Sequence, residues 1–192
     1  MARLIMLNGP PAIGTSTIAA RYIDDHPLAL NLDLDRIRSL LGRWRDDRTA
    51  AGLATRAIGV AAARAHLHSG HDVVVPQLLT RAELLDELAE VASQTGAEFI
   101  EIVLMDAADN AVRRFAERTG RAADPAHVEI GAIVTADGGE AVLHSYHDRL
   151  VAFLANRPHA IVIESVDGDV ESTYRRVLAA LRSDPVPGPV LE

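Results

Sequence analysis

The chain contains no cysteine, which rules out disulfides and thiolate metal sites and fits a cytoplasmic setting. It contains no lysine either, so all 19 of its basic residues are arginine. Lysine is normally among the commonest residues. A chain-wide bias accounts for its loss, yet a position where lysine does essential chemistry remains informative. Long hydrophobic runs are missing too. The N-terminal stretch LIMLN is too short for a signal-peptide core or a membrane span. An excess of positive charge is also lacking. The formal net charge is −8, which argues against a general nucleic-acid partner, although a local arginine cluster can still hold a small anion. No internal repeat is visible. What is there is an ordinary globular composition, 48% hydrophobic and 24% charged over 192 residues. That length suits one domain burying roughly 70% of its unfolded surface.

Short β-rich runs alternate with longer helical ones. Strands are expected at Arg3–Asn8, Leu28–Asp33, Asp72–Val75, Glu98–Met105 and Ala160–Glu164. Helices are expected at Ser16–Asp24, Ala50–His68, Thr80–Thr95, Asp109–Arg118, Glu140–Asn156 and Val170–Arg182. Such alternation gives an α/β fold, a parallel sheet with helices on both faces. Near-continuous apolar strands such as DVVVP and AIVIE suit strands buried on both sides. The domain is expected to span residues 1–182, with the Pro-rich stretch 183–192 as a flexible tail.

The sharpest local signal is NGPPAIGTST, residues Asn8 to Thr17. Against the phosphate-loop pattern G-x-x-x-x-G-K-[ST], Gly9, Gly14 and Ser16 are in register, and Thr15 stands where lysine belongs. The run Gly9, Pro10, Pro11, Ala12, Ile13, Gly14, Thr15, Ser16 and Thr17 lies between a strand and a helix, the context the pattern requires. Glycines let the backbone fold around an anion, its N–H groups point inward, and the helix N-terminus adds positive potential. Ser16 is placed to ligate Mg²⁺ through its hydroxyl. The bland reading is a plain βα turn with capping hydroxyls. Without the lysine, whose ammonium normally follows the β- and γ-phosphates into the transition state, catalysis is expected to slow by about 10²–10³ while binding survives.

LDLDRIR places Asp33 and Asp35 at the carboxyl end of the second strand, the edge where ligands bind in open α/β sheets. At period two they share a side. Asp35 is the candidate general base for a substrate hydroxyl, and Asp33 the candidate support for Mg²⁺. Asp35 as a mere N-cap of the following helix is the alternative. Of Arg36 and Arg38, which diverge on a helix, Arg38 is the one expected to face the site.

RLIMLNGPPAIGTST together with LDLDRIR resembles the small P-loop kinases, in particular the chloramphenicol phosphotransferase-like group. That group shares an R-x-I-x-L-N-G opening, and relatives such as adenylylsulfate kinase carry an L-D-x-D-x-x-R segment. The resemblance covers the chain to about Arg121. It implies the P-loop NTPase fold, a three-layer sandwich around a five-stranded parallel sheet in the order 2-3-1-4-5. It also implies ATP- or GTP- and Mg²⁺-dependent phosphorylation of a hydroxyl on a small molecule (antibiotic, nucleoside or sugar-like), with Asp35 matching the proposed base. A nucleotide-binding sensor or scaffold without turnover is the alternative. Two departures stand out. One is Thr15. The other is the end of strand three, where the group often has Asp and this chain has Pro76 and Gln77.

NAVRRFAERTGRAADPAH resembles the lid of these kinases, expected here at about 109–137. Arg114, Arg118 and Arg121 can line one helical side at spacings of four and three, where arginines would close over the phosphates. With Thr15 in the loop, Arg118 is the arginine proposed to supply the missing charge. A solvated helix is the alternative. Substrate contacts are expected from Asp35, Arg38, Trp44, Gln77 and Arg81. Trp44 lies between two arginines and suits a planar or anionic substrate, or else packs on the core. Gln77 either hydrogen-bonds substrate or begins a turn. The Ala-rich stretch 50–67 is a tightly packed helix or a homodimer face.

Overall fold

A computed structural model describes residues 1–121, 131 and 134–182, and of residues 118–121 the backbone only. Five strands form one all-parallel sheet in the order β2-β3-β1-β4-β5: β1 (Arg3–Asn8), β2 (Leu30–Asn31), β3 (Val73–Pro76), β4 (Glu98–Met105) and β5 (Ile161–Glu164). This is the sheet order implied by the resemblance. The helices are α1 (Thr15–Asp25), α2 (Leu34–Ser39), α3 (Arg48–His68), α4 (Glu83–Thr95), α5 (Ala108–Arg121), α6 (Glu140–Leu154) and α7 (Val170–Ala180).

Period two on β1 builds the three layers. Leu4 and Met6 join Val73, Val75, Leu85 and Leu88 in one apolar cluster, beneath α3 and α4. Ile5 and Leu7 join Val74, Ile18, Tyr22 and Val177 in the other, beneath α1 and α7. Because both faces of β1 are covered, its residues read as an unbroken apolar run, and truncating any of these leucines or isoleucines to alanine costs about 2–5 kcal/mol. Among the described residues no helix is long and apolar enough to cross a membrane.

The second strand is shorter than expected, and the reasons are local. Leu28 has φ 65°, a left-handed conformation that cannot continue a strand. At the other end, Asp33 leaves the sheet to cap α2, its Oδ1 accepting the amides of Asp35 and Arg36 at 3.0 and 3.2 Å. Asp33 and Asp35 therefore do not share a side of a strand, the arrangement that period two predicts: Asp33 is the N-cap, and Asp35 lies in the first turn of the helix. Leu34 is held by α3, where Gly59 leaves a notch. A Cβ there would meet Leu34 Cδ2 at 2.5 Å. That contact fixes how α2 presents Asp35.

Two buried phenols tie the core to pH. Burial pushes the Tyr22 hydroxyl well above its ordinary value of 10, and its hydrogen bond to Asp72 (2.6 Å) adds to the rise. Burial likewise pushes Tyr174 up to about 12. Both protons are held more tightly in the folded chain than in the unfolded one. Their stabilisation is full below pH 10 and is lost as pH climbs toward about 12. Urea midpoints measured at pH 9 and 11 are expected to fall, and the Tyr22→Phe/Tyr174→Phe double variant to fall less. Equal slopes would show that these phenols are not the cause.

Candidate active site

The carboxyl ends of the parallel strands gather the chemistry at one edge of the sheet, as in other open α/β folds. β1 leads into the phosphate loop, β2 into Asp33 and Asp35, β3 into Gln77, β4 into Asp106 and β5 into Ser165. The segments that follow β1, β2 and β3, together with α3, α5 and α6, line a cleft of about 450 Å³.

The loop forms its floor. Gly9, Pro10, Pro11, Ala12, Gly14, Thr15 and Ser16 line the cleft. Ile13 does not; its side chain is 1% exposed and anchors the loop in the core. Thr17 is exposed at the start of α1. Ala12 (φ 65°) and Gly14 (φ 110°) take left-handed conformations, the alternation that turns successive N–H groups into an anion-binding concavity. Gly14 is the N-cap of α1 and supplies no side-chain cap, so the first amides of the helix have no intrahelical partner and face the cleft as donors. Gly9 admits no substitution. A Cβ there would meet the Leu104 carbonyl oxygen and Ile13 Cγ2, both at 2.7 Å. Gly9→Ala is expected to weaken nucleotide binding by at least tenfold by displacing the loop, a shift readable by calorimetry; unchanged affinity would mean that the loop does not hold the nucleotide.

Asn8, fully buried, holds the loop to the segment after β3. Its Oδ1 accepts the amides of Gly9 (2.8 Å) and Leu79 (2.9 Å), and its Nδ2 donates to the Leu79 carbonyl (2.9 Å). The sequence reading missed it as a site residue, although it belongs to the same N-G opening. The consequence is positional: Gln77, two residues before Leu79, is fixed against the loop, and its own amide donates to the Leu7 carbonyl at 3.1 Å. Gln77 lines the cleft with its Oε1 buried and without a hydrogen-bond partner in the protein. A buried acceptor of this kind is costly unless a ligand donor meets it.

Asp35 and Arg38 form one wall. Arg38 Nη2 lies 3.0 Å from Asp35 Oδ1, and the guanidinium sits 4.8 Å from the centre of the Trp44 ring. Arg45 approaches that ring at 4.6 Å. Trp44 combines the two readings of the sequence: it is 7% exposed and belongs to the core, yet one edge lines the cleft. Arg36 turns back to Asp33 at 3.6 Å and is exposed. Asp33 is not among the cleft-lining residues, and its carboxylate is engaged with the α2 amides, whereas Ser16 lines the cleft.

Arg114 departs most from expectation. Its side chain is 8% exposed and turned away from the cleft. It donates to Asp106 Oδ2 at 2.6 Å, to the Ser165 carbonyl at 2.7 Å and to Ser165 Oγ at 3.2 Å. Ser165 Oγ in turn donates to the Ile13 carbonyl of the phosphate loop at 2.8 Å. A buried guanidinium follows the strongest acceptors in reach, and these come from the ends of β4 and β5. Arg118 and Arg121 have side chains outside the described residues, as does much of the expected lid. Arg81 lines an adjoining cavity rather than this cleft. Residues that the sequence did not single out complete the wall: Arg48 from the start of α3, Phe115 from α5, Asp137 and, from α6, Tyr146. Arg48 Nη2 stands 3.9 Å from Asp137 Oδ2. None carries a local signal, because each reaches the cleft only through tertiary packing.

The donor set suits phosphate groups, with free helix amides, hydroxyls and flanking guanidinium groups, and it places one carboxylate beside them. Comparisons with known proteins agree at the level of fold. A candidate kinase from Chloroflexus aurantiacus j-10-fl is similar over 94% of this chain and 96% of its own, with TM-score 0.62 at 15% identity. A gluconokinase from Sinorhizobium meliloti 1021 is similar over 93% and 91%, with TM-score 0.60 at 17% identity. The tunicamycin resistance protein of Deinococcus radiodurans is similar over 97% and 99%, with TM-score 0.58 at 14% identity. No curated protein matches the sequence. The profile of one family, described as AAA domain, matches residues 4–136, from the first strand through the phosphate loop and Asp35 to the far wall of the cleft. The chain belongs to that AAA domain family and has the P-loop kinase-like fold.

Proposed function

We propose that this protein is a phosphotransferase that moves the terminal phosphoryl group of ATP or GTP to a hydroxyl of a small molecule. The observation that carries this reading is the pairing, in one cleft, of an uncapped helix N-terminus with the Asp35 carboxylate of α2, the helix that follows the second strand. Fold neighbours that include a gluconokinase support it. In this reading the amides of the Gly9–Thr17 loop hold the β- and γ-phosphates, and the Ser16 hydroxyl would hold Mg²⁺, which would neutralise phosphate charge. Asp35 accepts the proton of the acceptor hydroxyl as its oxygen bonds to phosphorus and the bond to the leaving nucleoside diphosphate breaks. Arg38, 3.0 Å from Asp35, holds that carboxylate in position. Gln77 offers its unpaired Oε1 to a second acceptor hydroxyl.

A second reading, a nucleotide-binding protein with little turnover, draws on a different observation. Thr15 brings no charge to the loop, and the third strand ends at Pro76 and is followed by Gln77, with no carboxylate there to steady a metal. Release of nucleoside diphosphate, measured over a panel of alcohols, nucleosides, sugar acids and hydroxylated antibiotics, separates the two. Acceptor-dependent release that disappears in Asp35→Asn supports the phosphotransferase. Tight nucleotide binding with no acceptor-dependent release in any member supports the binding protein.

A further inference from the structure

A second cavity of about 470 Å³ adjoins the cleft and shares Asp35, Arg38 and Gln77 as its dividing wall. Its lining charges are four arginines (Arg38, Arg56, Arg81 and Arg149) against Asp35 and Glu83. That balance is positive in a chain whose net charge is −8. Arg38 is matched by Asp35, and Arg56 by Glu87 at 2.8 Å. Arg81 and Arg149 make no ion pair among the described residues; Arg149 donates only to the Thr80 hydroxyl at 3.2 Å. The start of α4 opens onto the same space. Its N-cap, Ala82, provides no side-chain acceptor, so the first amides of a 13-residue helix are left as donors. An independent observation points the same way. Thr55, on the facing helix α3, lines the cavity, is 5% exposed, and its hydroxyl has no hydrogen-bond partner in the protein. A buried hydroxyl stranded in this way is costly, and here it shares the space with two unmatched guanidinium groups and a bare helix N-terminus.

We infer that this cavity binds the non-reacting end of the acceptor, and that this end is an anion, a carboxylate or a phosphate monoester. The inference rests on the phosphotransferase reading, since it places the acceptor hydroxyl at Asp35 and the anion beyond it, at Arg81, Arg149, Thr55 and the α4 amides. It narrows the acceptors to hydroxylated acids and sugar phosphates and excludes neutral or cationic ones. Arg56, neutralised by Glu87, shapes the cavity without adding net charge.

The test is calorimetry on the full chain saturated with Mg²⁺ and adenylyl imidodiphosphate, so that the phosphate loop is closed to other anions. Two sets of probes share a skeleton and differ in charge: glycerol, glycerate and glycerol 3-phosphate, and glucitol, gluconate and glucitol 6-phosphate. At least one anion in a set is expected to bind about tenfold or more tightly than its neutral counterpart, and the better of the two anions tells carboxylate from phosphate. Arg81→Ala/Arg149→Ala, both at exposed positions, is expected to abolish the preference. Thr55→Val is expected to weaken the preferred anion several-fold while raising the unfolding temperature of the unliganded protein, a combination that a purely structural threonine does not give. Neutral probes bound as tightly as anions, no probe bound at all, or a preference that survives the double variant overturns the subsite alone. A chain that binds no nucleotide overturns the phosphotransferase reading, and the subsite with it.

Discussion

Thr15→Lys is expected to raise turnover by about 10²–10³-fold, the value of one preorganised charged donor at a developing transition state. Thr15 is the first residue of α1 and lines the cleft. Its Cγ2 runs back along the loop, 3.3 Å from where a Cβ of Gly9 would stand. A lysine started on that course lies over the same loop and carries its ammonium to the phosphates. The described cations that line the cleft do not fill that place. Arg38 is committed to Asp35 and to the Trp44 face, and Arg48 leans on Asp137 from the start of α3. Comparing kcat for both proteins at saturating Mg²⁺ and ATP, with an acceptor or with water, checks the expectation. An unchanged kcat would mean that an arginine already delivers the charge.

Asp35→Asn is expected to lower kcat by about 10²–10⁴, the range for loss of a general base, with nucleotide affinity within threefold of the parent chain. The substitution keeps shape and volume, so Leu34 remains seated against Gly59 and α2 does not move. What changes is that an amide cannot take the hydroxyl proton, and Arg38 loses its charge partner. Asp35→Glu retains a carboxylate at a displaced position and is expected to fall between the two. Parallel losses of kcat and nucleotide affinity in Asp35→Asn would instead make Asp35 a residue that holds the cleft together.

The fold was legible because its signals are local. The spacing of Gly9, Gly14 and Ser16 between a strand and a helix specifies one βα unit, and unbroken apolar runs mark strands covered on both sides. The turn from β2 into α2 was legible only in part. Both Asp33 and Asp35 can cap a helix, and the choice was made by Leu28, whose left-handed backbone delays the strand, and by Leu34, whose notch lies on α3. Arg114 could not be read at all. On a helical projection it shares a side with Arg118 and Arg121, but its acceptors, Asp106 and Ser165, are brought beside it by two separate strands. Ser165 had a usable signal nonetheless, since it directly follows a parallel strand at the edge where ligands gather. Thr55 had one as well: it is a hydroxyl set in an Ala-rich helix, in a position that packing alone would give to alanine.

Nucleotide calorimetry tests most directly whether the Gly9–Thr17 loop holds phosphate. ATP titrated into this chain is expected to bind at a single site, more tightly with Mg²⁺ than without it, and Gly9→Ala is expected to lose that binding while remaining folded. If neither ATP nor GTP binds with or without Mg²⁺, the Gly9–Thr17 segment is an ordinary strand-to-helix turn and the assignment of the cleft to phosphoryl transfer is contradicted.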